Sequence, residues 1–224
     1  MVLTIDSLLT PDELADIRKD LTLLVWKDGA ETAGAVAKAV KRNEQADLTT
    51  RSGSKLREML FEAITSHPVL LSYARPARFT RPMISRTRNN GGYGLHVDNP
   101  FMHTPEGQLR TDVSFTLFLS DPETYEGGEL TIEMSGLSHQ VKGQAGDIVL
   151  YPSTTLHGVA PVTSGERIVC IGWIESSVRS AEQREILFDL DNLRAELLRS
   201  HDPNSPEMLT FSKTTSNLKR MWVE

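Results

Sequence analysis

Between residues 76 and 176 the chain breaks into short runs of β-forming residues, interrupted every few positions by turn signals and never by a helical stretch. The candidate strands are 79–88, 94–98, 112–120, 129–134, 138–142, 147–151, 156–160 and 166–175. The interruptions are Asn89-Asn90-Gly91-Gly92, Gly127-Gly128, Gly143, Gly146-Asp147 and Ser164-Gly165. Eight short strands at this spacing, without intervening helices, predict an antiparallel sandwich or barrel of the jelly-roll type. Gly127-Gly128 reads as the turn before the strand at Leu130; no helix start follows it, so it is not a phosphate-binding loop.

Helical patterning flanks this region on both sides, so the fold class is α+β. In "LTPDELADIRKDLTLLVW" Thr10 is a candidate N-cap, with Pro11 at the first helical position and Glu13 completing a capping box. Leu14, Ile17, Leu21 and Leu24 then recur at helical spacing. "GSKLREMLFEAITSHP" repeats the pattern with Leu56, Leu60 and Ile64 and a stop at Pro68, whereas 30–48 is weakly periodic and reads as loop with a short turn. After Ser176, Ile186, Leu190, Leu193 and Leu197 form one stripe that either caps the barrel or makes a dimer seam, and a last helical piece lies around "TTSNLKRMW". The expected organisation is an N-terminal helical segment (1–75), a jelly-roll domain (76–176) and a C-terminal helical extension (177–224).

Bulk properties exclude several function classes. Cys170 is the single cysteine, which rules out an intramolecular disulfide framework and a cysteine-built zinc site and fits a reducing, cytoplasmic setting. No run approaches the length of a membrane span, and "MVLTIDSLLTPDEL" meets acids too early for a signal peptide. A net charge of −6 argues against broad electrostatic binding of nucleic acid, so no nucleic-acid or membrane partner is expected.

The chemistry begins at "GYGLHVDNP". In an extended segment His96 and Asp98, two apart, project an imidazole and a carboxylate to the same side. Alone, such a triplet is more often a structural hydrogen-bonded pair than a ligand pair. His157 lies on a later candidate strand, and ten residues beyond it Arg167 opens a strand whose alternation places Arg167, Val169, Ile171 and Trp173 on one face. An arginine on an otherwise apolar face is costly without an anionic partner. That partner is either a neighbouring acid, Glu166 or Glu129, or a dicarboxylic ligand gripped by the guanidinium. Two histidines and one carboxylate on a rigid sheet are the donor set of a facial triad, which leaves adjacent metal positions open and suits non-haem Fe(II).

This constellation resembles the Fe(II)/2-oxoglutarate-dependent dioxygenases related to prolyl 4-hydroxylase and, within them, the bacterial PKHD-type hydroxylases. The resemblance spans nearly the whole chain, through "NNGGYGLHVD", "RTDVSFTLFLSDPETYEGGEL", "GDIVLYPSTTLHGVAPVTSGER" and the "LFDLDN" of the C-terminal helix. It implies a double-stranded β-helix core and hydroxylation of an unidentified small-molecule or peptidyl substrate, coupled to decarboxylation of 2-oxoglutarate to succinate. It also implies Fe(II) held by His96, Asp98 and His157, the distal carboxylate of 2-oxoglutarate held by Arg167, Tyr93 lining the pocket, and L-ascorbate keeping the iron reduced. The chain departs from the family where many relatives carry tyrosines: Thr87 stands nine before the first ligand, and Phe118 where prolyl hydroxylases bind the carboxylate. The second contact to 2-oxoglutarate then falls to Ser114 or Thr116. A non-catalytic sensor or scaffold binding metal and 2-oxoglutarate on the same barrel is the competing expectation, and a homo-oligomer is compatible with the leucine stripe. His103 and His139 read as solvent-exposed loop residues. The group Arg75, Arg78, Arg81, Arg86, Arg88 and Arg110 is either a positive field at the mouth or a set of charges paired with nearby acids.

Overall fold

The computed structural model describes residues 1–29 and 41–224. In chain order its elements are β1 (Leu3–Ile5), α1 (Pro11–Leu21), β2 (Trp26–Asp28), β3 (Lys41–Arg42), β4 (Glu44–Ala46), α2 (Arg51–Ser66), α3 (Pro68–Ala74), β5 (Pro76–Phe79) and β6 (Met83–Thr87). These are followed by β7 (Gly92–His96), β8 (Phe101–Thr104), β9 (Gly107–Arg110), β10 (Val113–Phe118), β11 (Tyr125–Gly127), β12 (Leu130–Met134) and β13 (Leu137–Val141). The chain closes with β14 (Ile148–Pro152), β15 (Leu156–Val159), β16 (Val162–Gly165), β17 (Arg167–Ser176), α4 (Ala181–Leu197) and α5 (Pro206–Trp222). One sheet runs β1-β14-β10-β17-β6-β4-β2, with β5 also on β17; the other runs β13-β12-β15-β7-β3. Two antiparallel sheets with a cavity between them make the jelly-roll core that the strand spacing predicts.

The larger sheet is buried on both sides, and alternation sorts its residues between two cores. In β10, Val113, Phe115 and Leu117 enter the cluster that α1, α2 and α3 complete with Ile17, Leu56, Leu60, Ile64 and Leu70. Ser114, Thr116 and Phe118 alternate with them, and Phe118 joins Val149, Tyr151, Val169 and Ile132 in the cluster between the sheets. Cys170 belongs to the helix-side cluster, and burial pushes its thiol far up, so it takes no part in surface thiol chemistry.

The capping box at α1 forms as read, with Glu13 donating its backbone N–H to Thr10 Oγ1 at 3.3 Å and Thr10 donating its own N–H to Glu13 Oε2 at 2.7 Å. Elsewhere tertiary pairing overrides local signals. The helix expected to run through Trp26 stops at Leu21, and Trp26–Asp28 pairs with Glu44–Ala46 instead. The reading of 30–48 as loop lies outside the described residues up to 40; beyond it, β3 and β4 join opposite sheets. Hence the N-terminal segment is not all helical, because β1, β3 and β4 supply sheet partners for β14, β7 and β6. The expected strand 79–88 is split at Thr80–Pro82, where Pro82 has no N–H to give the ladder. The 99–110 loop contains a hairpin, β8 with β9.

The C-terminal stripe is a correction of another kind. α4 buries Arg184, Leu187 and Phe188, while Ile186 and Leu193 are 46% and 47% exposed. Arg75 fixes this face by donating to Asp191 at 2.5 Å and to the Leu187 carbonyl at 3.1 Å. The leucine stripe therefore does not cap the barrel. Among the described residues no helix is long and apolar enough to cross a membrane.

Candidate active site

β7 and β15 are neighbours in the smaller sheet, and His157 stands directly opposite His96. An unbroken antiparallel register would pair Val159 with Gly94, but the register shifts between His157 and Val159, so that Val159 pairs with Tyr93. A bulge of this kind bends and re-aims a strand. The ring centroids of the two histidines lie 4.3 Å apart, and Asp98, just past the end of β7, brings Oδ2 to 3.7 Å from His157 Nε2. The donor atoms of His96, Asp98 and His157 all lie within 4.8 Å of one another.

Each ring is held from behind. His96 Nδ1 donates to the Gly94 carbonyl at 2.8 Å and His157 Nδ1 to the Thr155 carbonyl at 3.1 Å, since a carbonyl can only accept. Both Nε2 atoms are thereby left as the lone-pair nitrogens, the tautomer that a metal needs. Tyr93 stacks on His96, with centroids 3.6 Å apart and planes 16° from parallel, and fixes the ring plane. Burial, reinforced by the neighbouring His157, holds His96 below the ordinary imidazole range and so favours the neutral form. Asp98 Oδ2 accepts from Ser114 Oγ at 2.6 Å, and Ser114 in turn shares a 2.7 Å hydrogen bond with Ser153.

Arg167 faces this cluster from the other sheet. Arg167, Val169, Ile171 and Trp173 all line the cavity of about 210 Å³ that also holds Tyr93, His96, Asp98 and His157. Arg167 is 3% exposed, its Nε has no hydrogen-bond partner, and no carboxylate among the described residues forms an ion pair with it. Glu166, one expected partner, turns to Arg88 at 2.8 Å instead. Phe118 lies under the guanidinium at 5.5 Å, Tyr125 and Tyr151 stand beside it, and burial pulls its pKa down. Gly128 makes the room: at φ +72° any Cβ would come within 2.9 Å of Arg167 Cδ.

The remaining candidates fall as follows. Tyr93, Ser114 and Thr116 line the cavity, but the Ser114 hydroxyl is committed to Asp98. Thr116 lies beside Tyr151, a fully buried phenol whose pKa burial pushes up; sequence reasoning overlooked Tyr151 although it alternates with Ile148 and Leu150 on β14. Lys41 and Asn43 also line the cavity and sat in the stretch read as loop. His103 and His139 are exposed, though on strands. Arg75, Arg86, Arg88 and Arg110 pair with Asp191, Glu44, Glu44 and Asp112, and Arg78 with Glu175, which leaves little free positive field at the mouth.

The donor set fits Fe(II): two imidazoles and one carboxylate on one side of a cavity, with room for further ligands. The far end fits a carboxylate, because a buried guanidinium without an anion is otherwise an uncompensated cost.

Comparison with known proteins gives a consistent picture. Residues 82–175 match the model of the 2OG-Fe(II) oxygenase superfamily. A PKHD-type hydroxylase of Hyphomonas neptunium is 54% identical over 223 residues, covering 100% of both chains. Among solved structures, a Pseudomonas putida prolyl-4-hydroxylase aligns over 78% of this chain and 92% of its own at 18% identity, TM-score 0.54. A Trichoplax adhaerens prolyl hydroxylase in complex with a hypoxia inducible factor peptide fragment aligns over 83% of this chain and 86% of its own at 14% identity, TM-score 0.59.

Proposed function

The chain belongs to the PKHD-type hydroxylases of the 2OG-Fe(II) oxygenase superfamily, and from that membership we propose how its own residues divide the work. It is an Fe(II)- and 2-oxoglutarate-dependent hydroxylase. His96, Asp98 and His157 hold the iron, which when bound supplies the redox chemistry coupling oxidative decarboxylation of 2-oxoglutarate to hydroxylation of a C–H bond. Arg167 holds the distal carboxylate of 2-oxoglutarate, with the Tyr151 hydroxyl, rather than Ser114, as the second contact. Ser114 and Ser153 position Asp98, and Tyr93 positions His96. Val169, Ile171 and Phe118 keep water from the gripped carboxylate, which strengthens its attraction to Arg167.

The observation that carries this reading is the buried Arg167 without a carboxylate partner, facing a His-Asp-His cluster across one cavity. A substrate of either small-molecule or peptidyl type is compatible with the mouth. A reducing cytoplasmic setting and ascorbate as reductant complete the proposal, supported by the lone buried cysteine and by the family resemblance respectively. Anaerobic calorimetric titration of the metal-free protein tests the division of roles. His157→Ala should lose Fe(II) binding, Arg167→Ala should keep Fe(II) and lose 2-oxoglutarate, and Tyr151→Phe should weaken 2-oxoglutarate about tenfold. Unchanged 2-oxoglutarate affinity in Arg167→Ala would refute the assignment of the carboxylate site.

A further inference from the structure

α4 carries an apolar stripe that its own fold leaves uncovered. Each helical residue turns by about 100°, so Ile186, Leu190, Leu193 and Leu197 centre on a line roughly 140° around the helix from the buried face of Arg184, Leu187 and Phe188. Ile186 and Leu193 are each nearly half exposed, and Leu190 and Leu197 are partly so. The spacing of four, three and four is the alternation of d and a positions in two heptads, the seam of a coiled coil rather than the broader face of a core-packed helix.

The charges beside the stripe say what fits it. With Leu190 and Leu197 at a, Asp189 and Glu196 occupy g on one flank and Arg194 occupies e on the other. Among the described residues Asp189 and Arg194 have no hydrogen-bond or ion-pair partner for their side chains. In a parallel pair, g of one helix meets e of its mate five residues further on, which sets Asp189 against Arg194 twice, once on each side of a two-fold axis. An antiparallel pair would instead set the acidic g flanks against each other. The stripe is therefore complementary to itself in one orientation.

We propose that this face of α4 is the seam of a symmetric parallel dimer of the full chain. Two heptads bury less than a standard interface, so the dimer dissociates in the micromolar range. Sedimentation equilibrium of the full-length protein tests it. The wild type should be a reversible dimer, and Leu193→Glu should raise the dissociation constant roughly a hundredfold with the circular dichroism spectrum unchanged, since Leu193 is exposed in the single chain. Asp189→Arg and Arg194→Asp should each weaken the dimer about tenfold, and the double variant should restore it. A wild type that stays monomeric at about 100 µM, a dimer indifferent to Leu193→Glu, or a double variant weaker than either single one would each overturn the proposal.

Discussion

Replacing Arg167 by Met should make the protein more stable and useless to its cosubstrate at the same time. The guanidinium is buried, its Nε is unpartnered, and no carboxylate among the described residues forms an ion pair with it, so the chain alone holds a charge whose desolvation the neighbouring Tyr125 and Tyr151 offset only in part. A methionine of similar length would pack against Phe118 and Val169 without that cost. Exchanges of buried charge for apolar packing return about 1–4 kcal/mol, which for a chain of this size is a rise in melting temperature of roughly 2–4 °C per kcal/mol. With 2-oxoglutarate at about a thousand times the wild-type dissociation constant the gap should shrink by about 3–4 kcal/mol, because ligand binding adds about 4 kcal/mol to the wild type and about 1 kcal/mol or less to the variant. Losing the buried charge pair should itself weaken 2-oxoglutarate by about 3–5 kcal/mol, a factor of roughly 150 to 5,000. Thermal and urea unfolding, each with and without 2-oxoglutarate and Mn(II), reads both effects. A variant less stable than wild type in the empty state, yet still stabilised by 2-oxoglutarate, would refute the reasoning.

Further expectations follow from the same geometry. Ser114→Ala removes the 2.6 Å hydrogen bond that orients Asp98 and should lower metal affinity about 10–100-fold in a metal titration, with little change in melting temperature. Gly128→Ala places a Cβ at a positive φ and 2.9 Å from Arg167 Cδ; it should cost about 1–3 kcal/mol in urea unfolding and weaken 2-oxoglutarate by displacing the guanidinium. Burial alone would raise Asp191, but the Ser72 hydroxyl and the Arg75 guanidinium overcome it and hold the carboxyl below its ordinary value. A lowered folded-state pKa gives stability that is present above the unfolded value near 4 and lost as pH falls through the folded one. Unfolding free energy measured from pH 6 downward should therefore drop less steeply in Asp191→Asn than in wild type.

The core of the fold was legible because it rests on local patterns. Seven of the eight candidate strands reappear within a few residues of their expected limits, 79–88 being the one that is split, since turn residues such as Asn89-Asn90 and Gly127-Gly128 adopt positive φ and enforce the breaks. Strands β1 to β4 were illegible for the opposite reason. They are two or three residues long and exist only because an edge of a sheet is there to pair with, which no window of sequence records. On α4, hydrophobicity alone does not mark the face that packs on the core: the buried side uses Arg184 and Asp191, whose partners Val178, Ser72 and Arg75 come from other elements. At the site, residue types and spacing bring His96, Asp98, His157 and Arg167 to one cavity, as the alternation of β7 and β17 requires. The place of Tyr151 and the hydrogen bond from Ser114 to Asp98 depend on cross-strand neighbours, Ser114 opposite Tyr151, and appear only once β10 and β14 are in register.

The central claim is that one cavity couples a His-Asp-His metal cluster to an Arg167-held 2-oxo acid. The most direct measurement is oxygen-dependent formation of succinate from 2-oxoglutarate by the iron-loaded protein, with His157→Ala and Arg167→Met alongside. Slow succinate release by the wild type, abolished in His157→Ala and recovered in Arg167→Met only at far higher 2-oxoglutarate, is the predicted result. A wild type that binds both iron and 2-oxoglutarate yet forms no succinate under any condition would contradict the account and leave a barrel that binds without catalysing.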